Sequence, residues 1–154
     1  MSTTGDTGSI SVIIPVKNGA TTIGQCLEAL FGQSVRQRME VILIDSGSTD
    51  GTLEIAAGFP VKIVRIEPAG FDHGLTRNLA VGHATGDLVY LTVQDARLAD
   101  ARALERMAAW FRDPAVMAVC GIQGVPHEKD TNPVYWYRPV SAPTVDRLQF
   151  PGPD

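Results

Sequence analysis

Residues 41–52 read VILIDSGSTDGT and decide the fold class of the chain. An apolar run stops at Asp45, turns through Ser46, Gly47 and Ser48, and continues into residues 52–57, which have the pattern of a short helix. An apolar run of this length bounded by turn residues predicts a buried strand. The stretch therefore predicts a strand–loop–helix unit with polar side chains at the carboxyl end of the strand.

The letters DSGS at 45–48 also match the D-[ST]-G-[ST] loop of aspartic proteases, and DTGS at 6–9 matches it again. A protease would need two such aspartates sharing one proton. We expect residues 1–9 to form a disordered tail because they are small and polar, so Asp6 has no strand in front of it. Aspartic proteases are built from β-hairpins, whereas a helix pattern follows Asp45. We therefore reject the protease hypothesis.

The strand–helix unit repeats along the chain. Strands are predicted at 11–16, 40–44, 61–66, 87–93 and 116–122, and helices at 23–31, 52–57, around Leu75 to Ala80, and at 104–111. This alternation predicts an α/β fold with right-handed crossovers and a mostly parallel sheet covered by helices on both faces. We expect one α/β domain at 10–123, followed by a loop or tail at 124–154.

Composition excludes several classes of protein. The chain has 154 residues, of which 44% are hydrophobic and 19% charged, as in one soluble domain. Its net charge of −4 argues against nucleic acid as a partner, since nucleic-acid-binding proteins usually have a basic face. Without a long apolar stretch or a signal-peptide pattern, we expect a cytoplasmic protein, with peripheral association with the inner face of the membrane left open. Cys26 and Cys120 are predicted to be buried free thiols.

Ligands of open parallel sheets bind where the strands end and the next helices begin. The candidate segments are therefore residues 15–21, 45–51, 71–78 and 94–97. No GxGxxG follows the first strand and no GxxxxGK[ST] occurs, so neither a classical dinucleotide fold nor a P-loop is predicted.

Four separated motifs resemble the inverting family-two glycosyltransferases of the GT-A fold, and within them the rhamnosyltransferase-like branch. They are SVIIPVKNGATTIGQCLEAL at 11–30, IDSGSTDGT at 44–52, FDHGLTRNLAVGHATGDLVYLT at 71–92 with its G-x-x-R-N and A-x-G-D elements, and VQDA at 93–96. The resemblance extends from about Ile10 to Asn132, and NPVYWYRP at 132–139 is similar to the stretch that leads toward the acceptor site in that branch. It implies transfer of a sugar from a nucleoside diphosphate to a hydroxyl group with inversion.

The resemblance implies that residues after several strands bind the nucleotide sugar. They are Pro15, Asn18, Asp45, Ser46, Gly47, Ser48, His73, Arg77, Asn78 and Gln94. Asp45 is expected to accept a hydrogen bond from the imide N–H of uracil or thymine. The alternative for Asp45 is a helix cap, for which Asp50 is the better candidate. Pro15 and Asn18 would line the base and ribose side, with turn chemistry as an equal alternative.

The start of the third predicted helix is a candidate pyrophosphate site. His73, Arg77 and Asn78 would lie beside free backbone N–H groups, which together with a guanidinium favour an anion. A solvated loop with a helix cap is the alternative. For Asp87, at the opposite end of the fourth strand, a structural role is at least as well supported as a base contact.

Asp95 is the metal-binding residue that the resemblance implies. A manganese or magnesium ion bridging the two phosphates would neutralise the departing nucleoside diphosphate. The family usually supplies two carboxylates, but this chain reads Val93-Gln94-Asp95, and the rhamnosyltransferase-like branch tends to show T-Q-D-A. Metal dependence therefore stays open.

The resemblance favours dTDP-rhamnose as the donor, with UDP-sugars next, and a saccharide or lipid-linked acceptor. An inverting transferase also needs a general base. Glu128 and Asp130 are the only acids in the corresponding neighbourhood, and HEKD at 127–130 is more typical of a solvated loop. We therefore expect a truncated donor-binding part whose general base lies outside this chain and which shows little or no turnover.

Two other functions remain open. Asp45 would be the nucleophile of a haloacid-dehalogenase-like phosphotransferase, since DSGST partly fits the D-x-D-x-T loop, although Gly47 replaces the required acid. The domain would otherwise be a non-catalytic binding module. Apolar surface left exposed would then favour self-association.

Overall fold

The computed structural model describes residues 8–121, and at its centre is a four-stranded parallel sheet. The strands are β1 (Ile10–Val16), β2 (Met39–Asp45), β3 (Lys62–Arg65) and β4 (Leu88–Leu91), arranged in the order β3-β2-β1-β4. Every neighbouring pair is parallel, and Asp45 is level with Val16 on one side and Arg65 on the other. The predicted α/β fold with a parallel sheet is confirmed.

Helices cover both faces of this sheet, as predicted. They are α1 (Ile23–Phe31), α2 (Thr52–Ala56), α3 (His73–Val81) and α4 (Ala103–Ala109), with 3₁₀ turns at Arg36–Arg38, Pro68–Gly70 and Trp110–Arg112. Helices α1, α2 and α4 contribute to the core on one face, and α3 packs on the other. No helix in residues 8–121 is long and apolar enough to cross a membrane.

The two central strands are apolar on both faces because helices bury both sides of them. Val12, Ile14 and Leu43 pack against α1, α2 and α4, whereas Ile13 and Ile42 pack beneath α3. The two edge strands are less buried, and Val89 and Leu91 of β4 leave 42% and 48% of their surface exposed. The loops at the carboxyl edge therefore stand on a rigid two-strand centre.

The fifth predicted strand, at 116–122, is wrong for residues 116–121, which form no strand, and residue 122 lies outside the described residues. A strand requires a neighbour to pair its backbone groups, and an apolar run by itself does not supply one. Met117 is 80% exposed. Cys120 is exposed as well, contrary to prediction, whereas Cys26 is a buried free thiol as predicted.

Hydrogen bonds and close packing leave no open space at the amino-terminal edge of the sheet, where strands β1, β2 and β4 begin. Thr85 donates to the Glu40 carboxylate from its backbone N–H at 2.6 Å and its hydroxyl at 2.8 Å, and Ser11 donates to the same oxygen. The Gly86 N–H donates to Ser11 Oγ at 2.8 Å. A Cβ on Gly86 would lie 2.6 Å from the backbone nitrogen of Ser11, so only glycine fits there.

Asp87 attaches the start of the described chain to this edge. Its carboxylate accepts from the backbone N–H of Ser9 at 2.8 Å and from the Ser9 hydroxyl at 2.9 Å. These bonds lower the pKa of Asp87. Arg38 donates to the Gly8 carbonyl at 2.6 Å, so the last two residues of the predicted tail, Gly8 and Ser9, are part of the hydrogen-bonded structure. Asp87 has the structural role weighed for it.

Candidate functional site

A cleft of about 540 Å³ opens at the carboxyl ends of β2 and β3. Its lining consists of Asp45, Gly47, Ser48, Thr49, Gly51, Thr52, Leu53, Glu54, Arg65, Ile66, Glu67 and Pro68. Three of the residues predicted to bind the nucleotide sugar, Asp45, Gly47 and Ser48, are brought together in it. The other predicted residues lie elsewhere and are described below.

Asp45 is the buried carboxylate of the cleft, with 2% of its surface exposed. The backbone N–H groups of Gly47 and Ser48 donate to it at 3.2 and 3.1 Å. A carboxylate has about four acceptor positions, so these donors leave Asp45 with capacity for a ligand N–H. Gly47 has φ +88°, and a Cβ on it would lie 2.7 Å from Pro68 Cγ. The turn therefore requires glycine at 47.

The β1–α1 loop is tied to the β2–α2 loop by Asn18. Its backbone N–H donates to Ser48 Oγ at 3.0 Å, and its side-chain oxygen accepts from the Thr49 N–H at 2.9 Å. Asn18 itself has φ +49°, a left-handed conformation that asparagine tolerates better than most residues. The side chain thus performs the turn chemistry that was the alternative to a ribose contact.

Asp50 was the expected cap of α2, but it lies one residue before the N-cap, Gly51, which has no side-chain cap hydrogen bond. Asp50 accepts from the Thr52 N–H at 3.1 Å at the start of α2 and from the Ala20 N–H at 3.0 Å in the neighbouring loop. These contacts, the Thr52 hydroxyl foremost, lower the pKa of Asp50. Pro15 lies within β1, level with Ile44, and Ser46 is buried, its N–H donating to the Val16 carbonyl at 3.1 Å.

Gln94 spans from the end of β4 to the β1–α1 loop. Its Oε1 accepts from the Lys17 N–H at 2.9 Å, and its Nε2 donates to the Lys17 carbonyl at 3.2 Å. Both ends of the carboxamide are thus engaged with the main chain of one residue. The structure places Gln94 against this loop and not in the cleft.

At the start of α3, where a pyrophosphate site was predicted, the structure shows a capping carboxylate. Asp72 accepts from the Gly74 and Leu75 N–H groups, both at 2.8 Å, so a carboxylate occupies the position an anion would take. Arg77 donates to the His73 carbonyl at 2.9 Å, and the His73 ring makes an edge contact with Phe71. Asn78 is exposed on the helix. The capped-helix alternative describes this segment.

Asp95 is exposed just after β4, and the described residues hold no group of three His, Cys, Asp or Glu side chains that could ligate a metal. Magnesium is often held by one or two carboxylates together with substrate phosphates. Asp95 therefore fits an ion that arrives with a nucleotide and does not fit an all-protein metal cage. Burial, with the charge of Asp95 adding to it, raises the pKa of the Cys26 thiol to about 11.

Arg65, Glu54 and Glu67 line the cleft and were not predicted from the sequence. Arg65 is level with Asp45 on the neighbouring strand, yet no ion pair joins the two within the described chain. With Asp45, the lining holds three acids and one guanidinium. Charged residues on an edge strand are usually solvated, so only the pairing of β2 with β3 reveals that Arg65 faces the site.

The chain matches known proteins over most of its length. A family model described as Glycosyl transferase family 2 matches residues 11–151. The O-antigen chain rhamnosyltransferase RfbN of Salmonella typhimurium is 39% identical over 127 residues, which are 81% of this chain and 40% of that protein. WbaN of Salmonella anatum, which has the same description, is also 39% identical, over 82% of this chain and 40% of its own length.

Solved glycosyltransferase structures share the fold. The mannosyltransferase PcManGT of Pyrobaculum calidifontis, in complex with GDP-Man and Mn²⁺, is 31% identical with a TM-score of 0.63, over 71% of this chain and 34% of that one. S. aureus TarS 1–349 in complex with UDP-GlcNAc is 28% identical with a TM-score of 0.60, over 77% and 37%. The chain thus spans about 40% of the length of these relatives or less.

Proposed function

Because the chain belongs to glycosyl transferase family 2, we propose that its described domain binds the nucleoside of a nucleotide sugar in the cleft beside Asp45. The observation that supports this most directly is the Asp45 carboxylate itself. It is buried, lines the cleft and has acceptor capacity beyond its two backbone donors.

The cleft favours a base with an imide N–H. Uracil and thymine present one N–H between two carbonyl groups, so Asp45 would accept from the N–H, and Arg65 would donate to a carbonyl from the neighbouring strand. Cytosine and adenine present a ring acceptor at the corresponding position, which would face the carboxylate unfavourably. Guanine also has a ring N–H but is larger. We expect dTDP and UDP to bind more tightly than GDP, and ADP to bind most weakly.

The charges of the cleft direct the diphosphate away from it. Asp45, Glu54 and Glu67 outnumber Arg65 among the lining residues, so a phosphate inside the cleft would be repelled. Carboxylates can instead accept hydrogen bonds from ribose hydroxyls. The diphosphate would then lie toward the junction of β1 and β4, where strand order reverses and ligands of such sheets usually bind.

Asp95 would bind a manganese or magnesium ion at this junction together with the diphosphate oxygens. The ion would supply positive charge to the departing nucleoside diphosphate. The bound Mn²⁺ of PcManGT supports this proposal. Since the described residues hold no group of three His, Cys, Asp or Glu side chains that could ligate a metal, we expect weak metal binding in the absence of nucleotide.

The donor sugar is proposed to be rhamnose, and the acceptor a saccharide or lipid-linked saccharide. The two relatives named as O-antigen chain rhamnosyltransferases support this proposal. In the whole enzyme a general base would deprotonate the acceptor hydroxyl for transfer with inversion. Glu128 and Asp130 lie outside the described residues, and the role proposed for the described domain is donor binding. Family membership leaves the phosphotransferase hypothesis for Asp45 without support.

Calorimetry with dTDP, UDP, GDP and ADP, each with and without Mn²⁺, tests the proposed function. Asp45→Asn should weaken dTDP and UDP binding by about 10- to 100-fold, because a hydrogen bond to a charged group contributes roughly 1.5–3 kcal/mol. Glu28→Gln, an exposed change of the same charge on α1, is the matched control and should bind like the wild type. Unchanged affinity of Asp45→Asn, or tightest binding of ADP, would contradict the proposal.

A further inference from the structure

We propose that Gln94 is a positioning residue whose carboxamide holds the β1–α1 loop in place between Asp45 and Asp95. Both of its hydrogen bonds go to the main chain of Lys17, at 2.9 and 3.2 Å. Each end of the carboxamide is thereby bonded to the loop, and Gln94 is not part of the cleft lining. We therefore assign Gln94 to shaping the donor site through the loop and not to contacting donor or ion. As far as it concerns donor binding, this inference rests on the proposed function.

The chemistry of the contact specifies glutamine. Lys17 offers one N–H donor and one carbonyl acceptor, and a carboxamide supplies the matching acceptor and donor. Glutamate would keep the acceptor but place its second oxygen against the Lys17 carbonyl. Asparagine is one methylene shorter and would not reach both groups. Glutamine is therefore the side chain that satisfies both atoms of Lys17 at this separation.

Gly19 shows how closely the side chain fits the loop. A Cβ on Gly19 would lie 2.6 Å from Gln94 Oε1 and 2.7 Å from its Cδ. Any side chain at 19 must therefore displace the carboxamide and break its bonds to Lys17. The fit depends on two positions 75 residues apart in sequence, which makes it testable by a double-mutant cycle.

The loop is also held from the other side. Asn18 donates to Ser48 Oγ at 3.0 Å, and the Ser48 N–H donates to Asp45 at 3.1 Å. Gln94 completes a hydrogen-bonded connection between the loop that presents Asp45 and the strand end that presents Asp95. Loss of the Gln94 contacts should leave the base site intact and loosen Asp95 relative to it.

The first test needs no ligand. Gln94→Ala and Gly19→Ala should each lower the melting temperature by about 2–4 °C, as expected for a loss of roughly one hydrogen-bonded contact. In the Gln94→Ala background, Gly19→Ala should have no further effect, because the group its Cβ would strike is gone. Additive losses in the double variant would overturn the proposed contact.

The second test compares UDP affinity with and without Mn²⁺. Without Mn²⁺, Gln94→Ala and Gln94→Glu should bind UDP within about twofold of the wild-type affinity. The increase in UDP affinity on adding Mn²⁺ should be about fivefold or more smaller in both variants than in the wild type. Gln25→Glu is the control, since it makes the same charge change near Arg97 and keeps the oxygen that accepts from it at 3.3 Å.

The outcomes separate this inference from the proposed function. Tighter Mn²⁺-dependent binding by Gln94→Glu than by the wild type would show that position 94 faces the ion, and would overturn the positioning role. If the wild type binds no nucleotide at all, the proposed function fails, while the ligand-free cycle still decides whether Gln94 holds the loop.

Discussion

Polar residues are frequent both at the amino-terminal edge of the sheet, where the strands begin, and at the carboxyl edge, where they end, but their roles differ. At the amino-terminal edge, Glu40 and Asp87 accept hydrogen bonds from Thr85, Ser11 and Ser9, and Gly86 leaves no space for an added atom. At the carboxyl edge, the loops are equally well tied, yet they leave a cleft with the incompletely used carboxylate of Asp45. A polar residue beside a strand is thus a candidate site only where space and unused capacity remain.

Two elements of the sequence motif at 71–92 lie at different edges of the sheet. The A-x-G-D element at 84–87 closes the amino-terminal edge, whereas the R-N pair at 77–78 lies on α3, which starts at the opposite end. In the resemblance to family-two glycosyltransferases, both elements belong to one motif. The structure assigns the glycine and aspartate of that motif to stability.

The largest effect on stability is expected for Gly86→Ala, which tests the close packing at the amino-terminal edge. An added Cβ would lie 2.6 Å from the Ser11 nitrogen and 2.9 Å from the Ile10 carbonyl carbon, both backbone atoms that cannot move independently. We expect a loss of about 3 kcal/mol in the free energy of unfolding, measured by urea denaturation. Gly70→Ala, where nothing lies within 4 Å, is the control and should be near neutral. Equal stability of the two variants would contradict the packing described here.

A smaller loss in the free energy of unfolding is expected for Glu40→Gln at the same amino-terminal edge. The Ser11 hydroxyl, followed by Thr85 and Lys62, lowers the pKa of Glu40 below 4.5. Its stabilising contribution is therefore complete above the unfolded-state pKa and disappears as the pH falls through the folded-state value. The variant should lose about 1 kcal/mol at pH 7, a modest amount because solvent screens this carboxylate.

Denaturation at pH 7 and pH 3 measures this effect. The wild type should approach the stability of Glu40→Gln at the lower pH, because protonation removes the same charge. Glu28→Gln, on the surface of α1, should follow the wild type at both values. A difference between wild type and Glu40→Gln that is the same at pH 7 and pH 3 would exclude the carboxylate as its origin.

An effect of similar size to that of Glu40→Gln, but a gain, is expected at the carboxyl edge from Val93→Asp. Val93 is 41% exposed and stands where the resemblance to family-two glycosyltransferases implies the first acid of a metal motif. A second carboxylate near Asp95 should strengthen Mn²⁺ binding by about three- to tenfold, measured by calorimetry in the presence of UDP. Val89→Asp, an exposed position of β4 toward its amino end, should not change it. Equal Mn²⁺ affinity in both variants would argue against metal binding at this loop.

The sequence predicts the regular elements of the described chain well because periodicity reports burial directly. Helix α1 begins at Ile23 and ends at Phe31, where the apolar spacing placed it, and β2 ends at Asp45. The strand at 116–122 fails because apolar character does not supply a pairing neighbour. What determines a strand is a partner elsewhere in the chain, and single-sequence reasoning does not see it.

The site is less predictable because its loops are held by contacts between distant residues. Asp45 could be found from its place at a strand end, but the contact of Gln94 with Lys17 connects positions far apart in sequence. Arg65 becomes visible only through strand order. The Asp72 cap could have been predicted from the local sequence, since aspartate directly before a helix is a favoured N-cap. It would have favoured the capped-helix alternative over an anion site at the start of α3.

The contrast between the two cysteines has a practical consequence. Cys26 is 3% exposed and its thiol has a pKa of about 11, so it stays protonated and shielded near neutral pH, whereas Cys120 is exposed. Thiolates are the species that react with maleimides. A maleimide dye should therefore attach at Cys120 alone in the folded protein, which provides a fluorescent reporter for titrations without altering the native sequence.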